Sequence, residues 1–376
     1  MHAKLRIDLN ALRENADRLR SLVAPAAIGF AVKSNAYGHG IEEAALAIEP
    51  QAARLCVYAL DEALALRDCG IHKPILIMGP VEPRDLEKAA GAKAAIALWD
   101  TKSYLRDLAA VARRRGARIP VHVKINTGLN RLGLSARDAA DAIEDYLRLS
   151  DIEIAGIFSH LASAEELDSP FTLTQLATFE RALAPVQDAL KEQTRSIRHI
   201  AASAAAMLWP QTRLDMVRIG IALYGLWPSR ATHEAMLNGE LALTPALTYY
   251  SSLVEVRPIE RGDPVGYGTS FHAPHQMRIG VVPVGYAEGV PRALSNRGAF
   301  VVGGKRCAIV GRIGMNMTMI DVTAVPAARA GDRVTLMGTD GEATVTADDW
   351  AQWADTINYE IVTRLPSELP REYINA

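Results

Sequence analysis

The sequence is poor in cysteine. Cys56, Cys69 and Cys307 are the only three in 376 residues, odd in number and far apart, which leaves neither a disulfide framework nor a Cys-x-x-Cys motif. A reducing cytoplasm is the compartment that fits, and with no Cys/His cluster at ligand spacing no metal is expected. Charge of one sign is lacking too: 41 Lys and Arg stand against 43 Asp and Glu, a net charge of -2. Nucleic acid and anionic membrane surfaces both demand a basic excess, so neither is expected as a partner. No apolar run reaches the roughly 20 residues that span a bilayer, and the opening Met-His-Ala-Lys-Leu-Arg lacks the apolar core of a signal peptide. No Gly-x-Gly-x-x-Gly follows a strand pattern, and Gly303-Gly304-Lys305 lacks the rest of a phosphate-binding loop, so it reads as a hairpin turn. Dinucleotide and ATP chemistry therefore have no handle. What is abundant is apolar content, 49%, over a length that predicts two domains.

Residues 5–9 alternate like a short half-exposed strand, expected over 1–9 to join the second domain, and Asn10 is placed to cap a helix with Leu12, Ala16, Leu19 and Val23 on one face. Buried-type strands then alternate with amphipathic helices. Strand patterns cover 26–32, 55–60, 74–78, 94–98, 119–125, 152–158, 197–202 and 216–223, with helical patterns such as 61–68, 101–114, 135–149 and 173–191 between them. About eight βα units in some 230 residues predict an α/β fold, a (β/α)₈ barrel over 1–240, with an open doubly wound sheet as the alternative. From Leu241 the texture becomes period-2 strands and turns, which predicts a mostly β C-terminal domain over 241–376 ending in a capped helix over 346–355.

The barrel pattern gives one stretch special weight. Ile28-Gly-Phe-Ala-Val-Lys-Ser-Asn-Ala-Tyr-Gly-His-Gly40 is a buried strand that ends on Lys33, followed by a glycine-bearing turn and an amphipathic segment from Ile41. That is the carboxyl rim of a parallel barrel, where active sites are built. Taken alone, Lys33 would be an ordinary surface lysine. A partly desolvated lysine, however, can lose its proton and form an imine with an aldehyde, of which pyridoxal 5'-phosphate is the commonest as a cofactor. Such a cofactor needs a phosphate site, and barrels place it after the last two strands. There the sequence offers Ser203 as a hydroxyl donor and Gly220-Ile221, where a glycine lets backbone N–H groups approach an anion. Tyr37 adds a phenolic donor.

With these residues on the page, the chain resembles the pyridoxal-phosphate-dependent alanine racemases. The match runs in order through Ala31–Gly40, Lys124-Ile-Asn-Thr-Gly-Leu-Asn-Arg-Leu-Gly133, Ser159-His-Leu-Ala-Ser-Ala164, Val217–Gly225, Val265-Gly-Tyr-Gly-Thr-Ser270, Val284-Gly-Tyr286 and Thr356-Ile-Asn-Tyr-Glu360. The resemblance implies interconversion of L- and D-alanine by two bases, because one base cannot serve both faces of a substrate carbon. Lys33 is implied to act on the D-isomer and Tyr267 on the L-isomer. A phenol titrating near about 10 needs positive charge close by, and His160 and Arg218 are the implied source. Arg218 is implied to face the cofactor's ring nitrogen, where a donor-only group disfavours protonation of the ring. Arg131 is implied to meet the phenolic oxygen and the substrate. Lys124 matches a position where a carbamylated lysine balances that arginine. Tyr359 is implied at the phosphate, Tyr286 at the entrance, and the Met315 N–H at the substrate carboxylate of a partner subunit, in a homodimer with shared active sites.

Two departures stand out. Asn316 replaces an Asp, which predicts the loss of a carboxylate at the substrate mouth, and Val290 is smaller than the residue frequent there, both in the partner-derived gate. They predict a broader amino-acid specificity as an alternative. A barrel-type decarboxylase would instead need an acidic partner at the ring nitrogen, and a pyridoxal phosphate carrier would lack both residues 241–376 and Tyr267.

Overall fold

The computed structural model describes residues 3–99, 103–193, 196–236 and 241–375. The chain divides into two compact units: one comprises 12–36 and 41–244, the other 1–11, 37–40 and 245–376. The first ten strands are β1 (Lys4–Asp8), β2 (Ala27–Ala31), β3 (Arg54–Val57), β4 (Ile75–Ile77), β5 (Ala94–Leu98), β6 (Ile119–Asn126), β7 (Leu134–Ser135), β8 (Ile152–Phe158), β9 (Ile197–His199) and β10 (Met216–Ile219).

In the first unit, eight parallel strands run in the order β10-β2-β3-β4-β5-β6-β8-β9 as a nearly closed barrel, with β7 added to the end of β6. Among the described residues no ladder joins β9 to β10. Asp215 N–H nonetheless donates to Arg198 O at 3.2 Å and Arg218 N–H to Ala201 O at 2.9 Å across that seam. Runs such as Ile-Leu-Ile and Ala-Ala-Ile-Ala-Leu form these strands because helices cover one face and barrel packing the other, leaving β4 and β5 buried throughout. The first helix, Leu9–Val23, buries Leu12, Ala16, Leu19 and Val23 as the 3.6 period requires.

Boundaries differ from expectation where local chemistry intervenes. Asp8, not Asn10, caps the first helix: its carboxylate accepts from the N–H of Asn10 at 2.9 Å and of Ala11 at 3.2 Å. The single helix expected over 173–191 is Phe171–Leu183, a 3₁₀ turn and Gln187–Gln193, broken where Pro185 supplies no N–H. The β10 pattern stops at Ile219, and Ile221–Tyr224 is a 3₁₀ turn. The helix expected from 101 begins at Ser103 in the described chain, residues 101–102 lying outside the described residues, as do 237–240 beside the expected boundary.

In the second unit, one sheet runs Lys305–Ala308, Ala299–Val302, Arg333–Asp340, Leu247–Ser252, β1, Arg371–Ile374. β1 is antiparallel to Leu247–Ser252 and parallel to Arg371–Ile374, and its Leu5 and Ile7 are buried on one face. Trp350 anchors the core, 6.2 Å from Tyr249 and 6.1 Å from Phe300 by ring centroid, with its indole N–H donating to Leu336 O. The last long helix, Ala347–Ala354, starts in a capping box between Thr346 and Asp349. No helix among the described residues is long and apolar enough to cross a membrane, and no group of His, Cys, Asp and Glu among them could hold a metal.

Candidate active site

Lys33 follows β2 and Val32 and is partly buried. The next residues do not turn through glycine as the sequence suggested. Ser34, Asn35 and Ala36 adopt left-handed helical backbone (φ 55, 53 and 51°), and Tyr37 follows at φ 53°. Left-handed geometry costs an L-residue roughly 1–2 kcal/mol, so four in succession require anchors. Three are visible: Ser34 N–H donates to the Glu62 carboxylate, Ile41 N–H to Asn35 Oδ1 at 2.9 Å, and Ala36 N–H to Val32 O at 2.9 Å. Tyr224 O–H, from the turn after β10, donates to Ala31 O at 2.9 Å and ties the neighbouring strand end to Lys33's own.

The loop after β6 is folded back on itself. Asn126 Oδ1 accepts from the N–H groups of Gly128 and Asn130, and β7 re-pairs with β6 one residue after Gly133. A Cβ at Gly133 would meet the Asn126 nitrogen at 2.5 Å, so only glycine permits that return. This is what places Arg131. On the same strand Lys124 is buried, 5.5 Å from the Phe158 ring centroid and 6.0 Å from that of Trp99.

Arg218, on β10, is buried and held only by uncharged acceptors. It donates to the carbonyls of Ser159 (2.7 Å), His199 (3.1 Å) and Ile200 (3.2 Å), and to the Nδ1 atoms of His199 (2.6 Å) and His160 (3.2 Å). Among the described residues no carboxylate lies within ion-pair distance of Lys124, Arg131 or Arg218. Electrostatics follow from this crowding. Burial, then Arg131, lowers the Lys33 pKa, with Glu62 opposing. Burial, then Arg131 and Arg218, brings Lys124 down to about 8. Burial, then Arg218 and the other three cations, lowers His160 to about 3, and burial brings even Arg218 to about 10.

At the ends of β9 and β10, two short helical turns begin at Ser203 and Ile221. Gly220 N–H donates to Ser203 Oγ at 3.0 Å, which draws the two turn starts together with their first-turn amides outside any helical bond. Lys33, Lys124, Arg131, His160 and Arg218 therefore form one electrostatic cluster, while Ser203 and Gly220 are hydrogen-bonded to each other beside Ile221.

The other candidates belong to the second unit. Tyr37 is buried with its ring centroid 6.3 Å from that of Tyr359. Tyr267 sits between Gly266 and Gly268, both at positive φ, on a 3₁₀ turn that leaves it 74% exposed. Met315 is 58% and Tyr286 44% exposed, and Tyr286 N–H donates to Gly314 O. Val290 is wholly buried, and Asn316 Nδ2 donates to a carboxylate oxygen of Glu288 at 2.7 Å.

Four residues went unnoticed in the sequence: Glu62, His122, Gln175 and His199. Gln175 accepts from Ala162 N–H and donates to Thr127 Oγ1 and His160 O, fixing the loop after β8. Its signal was a glutamine on the apolar face of a helix.

The comparisons with known proteins agree with this geometry. Residues 7–228 match the family model described as "Alanine racemase, N-terminal domain" and residues 246–373 the corresponding C-terminal domain. An alanine racemase of Desulforamulus reducens is 37% identical over 98% of this chain and 98% of its own. The crystal structure of alanine racemase from D-cycloserine-producing Streptomyces lavendulae superposes with a TM-score of 0.92 at 34% identity, covering 100% of this chain and 98% of that one. The Bartonella henselae alanine racemase, solved with covalently bound pyridoxal phosphate, gives 0.87 at 28% identity over all of both chains. The chain belongs to the alanine racemase family, isomerases that interconvert L-alanine and D-alanine.

Proposed function

We propose that the chain racemises alanine with pyridoxal 5'-phosphate held by Lys33, and that Lys33 and Tyr267 are its two bases. The observation that carries this reading is a partly buried lysine of lowered pKa at a barrel strand's carboxyl end, set among three further cations. The residues fit the group. A cluster with no carboxylate on Lys124, Arg131 or Arg218 calls for anionic oxygen, and the turns at Ser203 and Gly220-Ile221 offer amides to a phosphate, with Tyr37 and Tyr359 adding phenols. When bound, the cofactor supplies an electron sink that acidifies the substrate α-hydrogen.

The chain's own groups do the rest. Burial and the Arg131 charge lower the Lys33 pKa, which raises the share of free amine able to take a proton from D-alanine. Tyr267 serves the opposite face of L-alanine. Arg218, a donor that cannot accept, would face the ring nitrogen of the bound cofactor, and His160, its pKa lowered to about 3, stays neutral beside it. A barrel decarboxylase is disfavoured because that position would need a carboxylate. Arg131 binds the phenolic oxygen and the substrate, whose carboxylate meets the Met315 N–H, and Tyr286 stands at the entrance.

The reading includes a homodimer whose partner supplies Tyr267 and Met315. Large apolar side chains as exposed as Tyr267, Met315, Met317 and Ile357 favour a covered surface. It also includes a cytoplasmic location, consistent with three free thiols. Lys124, with a pKa of about 8, has enough neutral amine to add carbon dioxide, and the resulting carbamate would answer the charge of Arg131. The test is L-alanine in heavy water. D-alanine carrying α-deuterium, with no carbon dioxide released, is expected, and its absence would refute the reading.

A further inference from the structure

Arg218 ends a chain of three buried side chains. Its Nη1 donates to His199 Nδ1 at 2.6 Å, and His199 Nε2 lies 2.8 Å from His122 Nδ1. None of the three is more than 4% exposed. Arginine only donates, so His199 Nδ1 has to accept and the ring proton sits on Nε2. That N–H then donates to His122 Nδ1, which places the proton of His122 on its own Nε2. There the chain stops: His122 Nε2 is buried and has no hydrogen-bond partner among the described residues. Burial, reinforced by neighbouring arginines, keeps both rings neutral.

The barrel is built around this pair. A Cβ at Gly156 would collide with His122 Nδ1 and Cε1, and Phe158 lies flat on His199 with centroids 5.0 Å apart and planes 4° from parallel. An apolar ring at 122 would avoid the orphaned donor of His122. What His122 Nδ1 provides, and an apolar ring would not, is an acceptor for His199.

We propose that His122 and His199 are a positioning pair: by holding one imidazole tautomer they present a neutral acceptor to the Arg218 guanidinium and fix its plane inside the barrel. Both act through Arg218, as positioning rather than catalytic residues. Without His122, the His199 Nε2–H loses its acceptor inside the barrel, and that cost pushes the proton toward Nδ1 against the Arg218 donors, which alone oppose the move. The effect on turnover rests on the role proposed above for Arg218, whereas the tautomer does not.

The test is ¹⁵N NMR of cofactor-free protein labelled at histidine, together with kinetics of the holoenzyme. Both rings are expected to carry their proton on Nε2 alone. His122→Leu should move proton density on His199 toward Nδ1 and lower kcat by about ten- to a hundredfold while KM for alanine changes little. His122→Asn, whose Oδ1 occupies nearly the place of Nδ1, should keep the His199 tautomer and recover kcat to within a few-fold. It also serves as the reading if the leucine variant does not fold. An Nδ1–H signal from His199 in the unaltered protein, or an unchanged His199 tautomer in His122→Leu, overturns the proposal. A changed tautomer with unchanged kcat upholds the pair and counts instead against the role of Arg218.

Discussion

The backbone N–H of Ser34 donates to one oxygen of the Glu62 carboxylate at 2.5 Å, one residue beyond Lys33, while the other oxygen accepts from the N–H groups of Tyr58 (2.8 Å) and Ala59 (3.0 Å). A single carboxylate thus ties the strained left-handed turn to the start of the next helix. Charge-assisted bonds are worth about 1.5–3 kcal/mol each when shielded, and these lie near the surface, so the combined contribution is expected at the low end.

Glu62→Gln should therefore lower stability by about 1–2 kcal/mol, because an amide has one acceptor oxygen for two sets of donors. Retention of cofactor should fall more than the melting temperature suggests, since the turn places Lys33. Differential scanning fluorimetry and the absorbance of protein-bound pyridoxal phosphate after dialysis check both parts.

If Arg218 faces the ring nitrogen as proposed, replacing it by a carboxylate reverses the electrostatics there. Arg218→Glu should cut racemisation by at least about a hundredfold. The share of turnovers that release pyruvate and leave the cofactor as its amine should rise. Coupled assays for D-alanine and pyruvate on one sample measure the ratio.

Acid should weaken the fold through its buried imidazoles. His122 and His199 are held well below the ordinary histidine range and His160 at about 3, so the folded chain stays neutral where the unfolded chain takes up protons. Their stabilisation is complete above about pH 6.5 and is lost as pH falls below it, for His160 down to about 3, each group steepening the fall by at most about 1.4 kcal/mol per pH unit. Urea unfolding at pH 7, 6 and 5 should show the decline, and His160→Asn should flatten it.

If Lys124 is carbamylated, ¹³C-labelled bicarbonate should give a carbamate resonance that is absent from Lys124→Arg. That variant should bind substrate more weakly, because Arg131 then lacks its balancing anion. Removing dissolved carbon dioxide at pH 6 should reproduce the defect in the unaltered protein.

Much of this was legible in order along the chain, and what was hidden has a physical reason. Lys33 could be read because a both-faces-buried strand stops on it, whereas Arg131 was reached only through the family resemblance of residues 124–133, and the tight return at Gly133 that places it appears only in the structure. The left-handed turn could not: of Ser34, Asn35, Ala36 and Tyr37 only asparagine favours that geometry, and Glu62, 28 residues away from Ser34, imposes it. His122 and His199 look like ordinary core residues in apolar strands, since their pairing spans 77 positions and appears only when the barrel brings β6 and β9 to either side of β8. Asp8 caps the helix in place of Asn10 because the helix begins at Leu9, two residues earlier than an Asn10 cap implies.

The division of labour between Lys33 and Tyr267 is tested most directly by α-hydrogen exchange in heavy water with Tyr267→Phe. Deuterium should still enter D-alanine, because Lys33 reaches that face unaided, while L-alanine exchanges no faster than its slow conversion allows. Equal loss of exchange from both enantiomers, or equal retention, would contradict two bases on opposite faces.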